Sequence, residues 1–413
     1  MELIENRLIL SFCDNGGSIN IENYIKKGGY KAIRKALEMK PEEIVEEVKK
    51  SGLRGRGGAG FPTGQKWLFV PNDNNEHYLV INADEGEPGT FKDREILEKA
   101  PHLLIEGAII SAYAIRANEG FIYLRAEYLD AFRILKSAIK EAYESKLLGK
   151  NILGSSFSFD LHIYPAAGAY ICGEETALLN SLEGGRGIPR LKPPFPAIKG
   201  LYGKPTVVNN VETIANIPII INNGGDWYRK LGTEKSPGTK IFTISGAVNQ
   251  PKVCEFELGK ITFRQLMEYA GGLREGSKLV GIVPGGLSAP ILVGDEIDIP
   301  ATYEDCSAKN TMLGSGAVIV IDDRIPLVKI IRRSIQFFAF ESCGWCTPCR
   351  DGLPWATRIL RKIEMGKGEK KDLDILYEIC NYMKNKTFCA LGEGAQWILR
   401  VYIEKFGEKI LEV

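Results

Sequence analysis

The sequence predicts an open α/β domain, then a small β-grasp α+β domain, then a helical C-terminal domain. Three observations predict it. Short apolar strands alternate with helical segments between residues 78 and 164. Near residues 236 to 325 the pattern changes to a hairpin, a helix and two further strands. From Leu327 onward it is helical and carries a cysteine cluster. Strands alternating with helices indicate a sheet covered by helices on its faces. At about 150 residues per domain, the chain of 413 residues accommodates two or three such units. The boundaries fall at 1–235, 236–325 and 326–413.

The first fifty residues read as helical after a ragged start. Pro41-Glu-Glu-Ile-Val-Glu-Glu-Val-Lys-Lys puts Pro in a first helical turn and acids ahead of bases, as the helix dipole favours. A glycine-dense loop runs from Gly52 to Gly64. Tyr78-Leu-Val-Ile-Asn82 is a short buried strand, and a polar loop from Ala83 to Asp93 follows it. A helix from Leu103 (interrupted by Glu106), a strand at Gly120 to Arg125, a helix from Leu129 to Lys146 and a strand near Phe157 to Tyr164 continue the alternation. Gly168 to Gly184 reads as strand, glycine turn and helix, with Glu174 and Glu175 at the helix start. The Pro-rich connection Pro189 to Pro196 runs over a surface or lines a site. Lys240 to Val248, a turn at Asn249-Gln250-Pro251, and Lys252 to Leu258 form the hairpin. A helix at Thr262 to Ala270 and strands at Leu279 to Val283 and Ala317 to Ile321 complete the β-grasp unit.

Composition excludes several functions. Lys plus Arg is 53 and Asp plus Glu is 52, so the net charge of +1 argues against a broad nucleic-acid-binding face. No apolar run approaches the roughly 20 residues of a membrane span. The first residues lack the basic and apolar regions of a secretion signal, and the nine cysteines are an odd number, which points to a reducing compartment. A cytoplasmic protein, peripheral on the inner face of the cell membrane through its partners, is the expectation.

The cysteines carry the clearest chemistry. Cys343-Gly-Trp-Cys346-Thr-Pro-Cys349 lets three thiolates converge on one inorganic core, as in the ligation of a cubane iron–sulfur cluster. Position 353, where a ferredoxin-type run has its fourth cysteine, is Leu, so the fourth ligand is remote. Cys380 sits at helical spacing among apolar residues and reads as a core thiol. Cys389 lies where a helix is expected to give way to the Gly-rich Ala-Leu-Gly-Glu-Gly loop, and is the choice. Zinc on four thiolates is the alternative, but zinc ribbons pair two separate C-x-x-C knuckles.

Gly55-Arg56-Gly57-Gly58-Ala59-Gly60 matches G-x-G-x-x-G but follows a helical segment, which excludes a Rossmann dinucleotide site. Backbone N–H groups of such a loop still approach a phosphate closely. Arg54, Arg56 and Lys66 supply opposing charge, and Phe61, Trp67 and Phe69 offer flat faces for a purine. Asn82, Asp84, Glu85 and Glu87 leave a strand end, where open α/β sheets bind ligands. Tyr170, Gly173, Glu174 and Glu175 combine a glycine turn with a helix start. Asn209, Asn210 and Thr213 add adjacent amides suited to a heterocycle or sugar.

Together Gly52 to Trp67, Asn82 to Asp93, Gly168 to Gly184, Pro205 to Thr213 and Glu341 to Arg350 closely resemble the family of NADH-binding flavoprotein subunits of proton-pumping NADH:quinone oxidoreductases (respiratory complex I). The resemblance covers about residues 15 to 410. It implies FMN against Gly55, Asn82, Asp84, Glu85, Tyr170, Gly173, Glu174, Asn209, Asn210 and Thr213. It implies NADH against the Gly55 to Gly64 loop, Phe61, Lys66, Phe69, Glu87 and Glu175. One [4Fe–4S] cluster would be held by Cys343, Cys346, Cys349 and Cys389. Hydride transfer between two bound cofactors requires no catalytic side chain. Implied partners are a small thioredoxin-like [2Fe–2S] subunit and a large multi-cluster iron–sulfur subunit. The diaphorase subunit of an NAD-linked hydrogenase or formate dehydrogenase uses the same motifs and is the alternative. Such siblings often carry thioredoxin-like or ferredoxin-like extensions not seen here, which favours the respiratory protein.

Overall fold

The computed structural model describes residues 3–14, 16–73 and 75–412. Four parallel strands form the first sheet: β1 (Tyr78–Ala83), β2 (Glu119–Arg125), β3 (Asp160–Ala166) and β4 (Thr206–Asn210), in the order β3-β2-β1-β4. β4 was not expected from the sequence as a strand, because five residues ending in two amides carry little strand pattern. The strand expected at Gly168 is absent. A 3₁₀ turn, Tyr170–Gly173, leads instead into the helix Glu175–Leu182.

The sheet is buried on both faces by strict alternation. Leu79, Ile81, Ile122, Leu124 and Val207 face a layer containing helix Pro101–Ala114. That helix is apolar all round, as a fully enclosed helix must be. Its one acid, Glu106, accepts from the Tyr24 hydroxyl and from the amides of Tyr30 (2.9 Å) and Ile33 (3.0 Å), so it caps the helix Lys31–Glu38. On the opposite face, Tyr78, Val80, Tyr123 and Val208 join one core with the C-terminal helices Leu327–Glu341, Thr347–Lys362, Lys370–Met383 and Ala390–Phe406.

The second sheet, β6-β5-β8-β7, comprises β5 (Thr239–Gly246), β6 (Lys252–Glu257), β7 (Leu279–Val283) and β8 (Ala317–Asp322). β5 and β8 are parallel at the centre, and the flanking pairs are antiparallel. Helix Phe263–Tyr269 starts from a Thr262/Gln265 capping box and covers Phe242, Ile244 and Phe256. This is the expected β-grasp arrangement. Cys254 and Cys306 lie in its core.

Glu255 on β6 fastens the N-terminal segment to this sheet. Its carboxylate accepts from Leu10 N (2.8 Å), Ile9 N (2.9 Å) and Thr239 Oγ1 (2.6 Å). Burial raises its pKa to about 7, although these bonds oppose the shift. A carboxyl raised on folding contributes stability that is complete below its unfolded pKa and is lost as pH rises through about 7. The ligand-free chain should therefore melt at a lower temperature at pH 8 than at pH 6. Glu255→Gln should flatten that slope; an unaltered slope in calorimetry would count against this source.

Candidate cofactor site

β1 and β4 are adjacent, yet the chain leaves β1 toward β2 on its other side. Their carboxyl ends therefore flank a topological switch point, the usual ligand crevice of an open sheet. Asn82 ties this crevice together. Its Oδ1 accepts from Asp84 N at 3.1 Å, and its amide donates to the Gly173 carbonyl at 3.0 Å. Asp84 is buried and its Oδ2 has no hydrogen-bond partner. Burial pushes its carboxyl up to about 7, with Arg125 opposing. An orphaned buried carboxyl at a strand end suits the polar hydrogens of a heterocyclic ligand.

The glycine loop follows helix Pro41–Ser51, as expected, and is anchored at both ends. Gly55 N donates to Phe61 O at 2.9 Å, and Arg56 N donates to Thr213 Oγ1 at 2.8 Å. Gly60 has φ +64°, and a Cβ there would lie 2.6 Å from the Tyr303 ring. Gly57 and Ala59 are exposed between these anchors, and a Cβ on Gly58 would meet nothing within 4 Å. The loop thus offers an open edge of backbone to an anionic group. Phe61 and Phe69 stand beside it, 45% and 47% exposed, with ring centroids 6.3 Å apart.

Glu175 is the charged centre of the crevice wall. Lys66 Nζ lies 3.0 Å from its carboxylate and Lys192 Nζ 3.3 Å. Burial works against ionisation, but the two lysines outweigh it and hold the carboxyl below the ordinary range. Lys192 escaped the sequence reading. It lies in the Pro-rich connection expected to line a site, and that was its only signal.

Several predicted residues also serve the frame. The Arg56 guanidinium is wholly buried, facing the Pro237 carbonyl and the hydroxyls of Tyr228 and Tyr303, so it is turned away from the loop's open edge. Arg54 grips Gly60 O and stacks over Tyr303. Trp67 is 2% exposed and donates to Asn209 Oδ1, which makes it core and not a purine platform. Thr63–Leu68 is a helix, so the glycine loop ends before Gly64. A Cβ on Gly64 would lie 2.5 Å from the Lys49 backbone, and this close helix approach requires glycine. Glu85 caps helix Lys92–Lys99 through Asp93 N and Arg94 N and accepts from Tyr128. Glu174 is the N-cap of Glu175–Leu182. Asn210 caps Val211–Ala215 and donates to Asp93. Glu87 accepts from Tyr170 Oη at 2.6 Å and from Ser288 N at 2.7 Å.

Cys343, Cys346, Cys349 and Cys389 line one small cavity, and all four are free thiols. Among the described residues, no three His, Cys, Asp or Glu side chains converge closely enough for a single metal ion. Four thiols lining one cavity fit the ligation of an iron–sulfur cluster, as the C-x-x-C-x-x-C spacing suggests. Cys346 is the N-cap of Thr347–Lys362, and Cys389 is the N-cap of Ala390–Phe406. Cys389 thus precedes a helix, whereas the sequence placed it after one; the expected Gly-rich loop is that helix's first turn. Both helix N-termini favour negative charge in the cavity. Burial, reinforced by the neighbouring cysteines, raises the free Cys349 and Cys389 thiols to about 12 and about 11, so stable thiolates here require a bound cation. Cys380 lies in the core of Lys370–Met383.

Comparison with known proteins adds the family. Residues 48–219 match the Nuo51 FMN-binding domain, 240–321 an SLBB domain, and 329–413 the NADH-ubiquinone oxidoreductase-F iron-sulfur binding region. The F 2 subunit of the NADH-quinone oxidoreductase of Rhizobium meliloti is 53% identical over 94% of this chain and 92% of its own length. The F subunit of the Escherichia coli enzyme is 48% identical over 96% and 90%. A crystal structure of an NAD+-reducing [NiFe]-hydrogenase in the H2-reduced state has a TM-score of 0.83 at 38% identity over 91% of this chain; the match spans 63% of that hydrogenase chain.

Cys389→Ser is expected to lower iron per chain and weaken visible absorption. Cys380→Ser should leave iron loading intact and cost about 0.5–3 kcal/mol of stability. Equal iron in both variants would remove Cys389 from the ligand set.

Proposed function

The chain belongs to the family of the F subunit of NADH-quinone oxidoreductase, and from that membership we propose how its residues divide the work. The protein is the NADH dehydrogenase module of a multi-subunit respiratory complex; it binds NADH and FMN and passes electrons toward an iron–sulfur cluster. FMN, when bound, accepts two electrons as a hydride and releases them singly, as a one-electron cluster requires. FMN is assigned to Gly55, Asn82, Asp84, Tyr170, Gly173, Asn209 and Asn210. NADH is assigned to the Gly57–Phe61 edge, Lys66, Phe69, Glu87 and Glu175. The cluster is assigned to Cys343, Cys346, Cys349 and Cys389. These residues bind and orient the reactants, and none needs to exchange a proton with them.

One observation carries the scheme: a single turn walls both sites. The Gly173 carbonyl is bonded to Asn82 in the crevice, and Ile171 lines the cysteine cavity. The crevice and the cysteine cavity thus share one turn of chain, as electron passage between cofactors held there would require.

The finer proposal for partners is a small thioredoxin-like [2Fe–2S] subunit and a large multi-cluster subunit, holding the module at the inner face of the cell membrane. No described helix is long and apolar enough to cross a membrane. The hydrogenase reading is disfavoured because the respiratory relatives are more similar and match over most of their own length. Proteins co-purifying with the chain separate the two.

A visible spectrum before and after NADH tests the central claim. Flavin and cluster absorption should bleach together; a spectrum that NADH leaves unchanged would refute it. Glu175→Ala removes a carboxylate that would repel a 2′-phosphate and frees Lys66 and Lys192 to attract one. The ratio of kcat/KM for NADH over NADPH should fall by roughly tenfold or more, the worth of one charge-assisted contact. An unchanged ratio would sink that assignment.

A further inference from the structure

Ser342 separates Glu341 from the first cysteine of the run. Its Oγ lies 3.1 Å from Cys349 Sγ and accepts from Gly344 N at 3.2 Å. In the free thiol either atom can donate; a ligating sulfur settles the direction. Gly344 N–H occupies one lone pair of the oxygen and holds the hydroxyl beside the sulfur, with its hydrogen available to donate. A cysteine bound to metal has lost its proton and can only accept. Of the four cavity cysteines, Cys349 is the buried one, at 5% exposure, and the other three are partly exposed. A donor placed there acts in the least solvated corner, where one hydrogen bond counts most. Among the described residues, Ser342 is also the only side-chain hydroxyl bonded to any of the four sulfurs.

We propose that Ser342 is a positioning residue that sets the reduction potential of the cluster, a reading that rests on the four-cysteine ligand set proposed above. A hydrogen bond to a ligating sulfur withdraws electron density from it. It therefore stabilises the reduced, more negative cluster more than the oxidised one and raises the potential. By holding Gly344 as well, Ser342 keeps the Cys343–Cys346 loop in the shape that aims this bond.

The test is a redox titration of the purified full-length protein with its cofactors, followed by electron paramagnetic resonance of the reduced cluster. S342A should keep its iron, and at a fixed poise its ratio of reduced to oxidised cluster should fall about tenfold, equivalent to about 59 mV for a one-electron couple. S342T, which retains the hydroxyl, should titrate with the wild type. The FMN potential should not move in either variant. An S342A cluster at the wild-type potential overturns the proposal, as does an S342T cluster displaced as far as S342A. If alanine yields no iron, the isosteric pair S342V and S342T replaces it: the same displacement is expected between them, and equal potentials overturn the proposal. Wild-type protein that binds no iron, or a Cys389→Ser variant that keeps all of its iron, would instead sink the ligand set itself.

Discussion

One buried carboxylate, Glu212, ties together the elements beneath the crevice. It lies at zero exposure beside Lys92 and Lys240, and it also accepts from Ile241 N on β5. Asp93 pairs with Lys92 and binds Asn210, while Arg56 adds a third cation to the same interior. Glu212 therefore links the end of β4, the helix that follows Glu85, the base of the glycine loop and the first strand of the β-grasp sheet. Three cations crowd Glu212, Asp93 and the neighbouring Glu85 in a dry interior. Burial pulls Lys240 down to about 7 in spite of Glu212, with Lys92 pushing the same way. Such a network adds little net stability compared with an apolar core, but losing one partner costs about 3–5 kcal/mol. Its value here is geometric: it permits one arrangement of the parts that meet at the ligand.

That network also explains which parts of the molecule were legible in the sequence. Strands β1, β2, β3, β5, β6, β7 and β8 were readable because apolar period and turn residues are local signals. The cysteine run was readable because its spacing is itself the chemistry. Arg56 and Trp67 were misread because their partners are far away along the chain. A basic residue in a glycine loop suggests phosphate, and only the fold reveals Tyr228, Pro237 and Tyr303 closing on it. Trp67 beside Lys66 suggested a stacking face until β4 delivered Asn209 to its indole N–H. Glu85 looks like a ligand group in an acidic loop, yet it satisfies free amides at a helix start, while Glu174, already read at a helix start, is that helix's N-cap. Ser342 and Lys192 gave the opposite error, since a serine beside a cysteine and a lysine among prolines carry no pattern at all.

Tyr170 shows why these parts belong in one chain. Its hydroxyl donates to Glu87, which is held in turn by Ser288 N of the β-grasp domain. Its backbone N–H donates to Glu341 at 2.9 Å, and its ring meets Phe337 and Phe338 edge-on at 5.2 and 5.8 Å, all on the helix that leads into the cysteines. The turn it opens is bonded to Asn82 at the end of β1. One side chain thus touches, directly or through Glu87, all three structural units. Single-electron transfer falls steeply with distance, so the gap between crevice and cysteine cavity must not breathe. A two-part protein could have held a flavin beside a cluster with a hinge between them. The β-grasp domain, which supplies none of the assigned contacts, closes that hinge by bracing Glu87 from a third direction. Glu341 carries the same restraint to Ser342 and so to Cys349. Glu341, which receives the Tyr170 N–H, directly precedes Ser342, whose hydroxyl lies against Cys349.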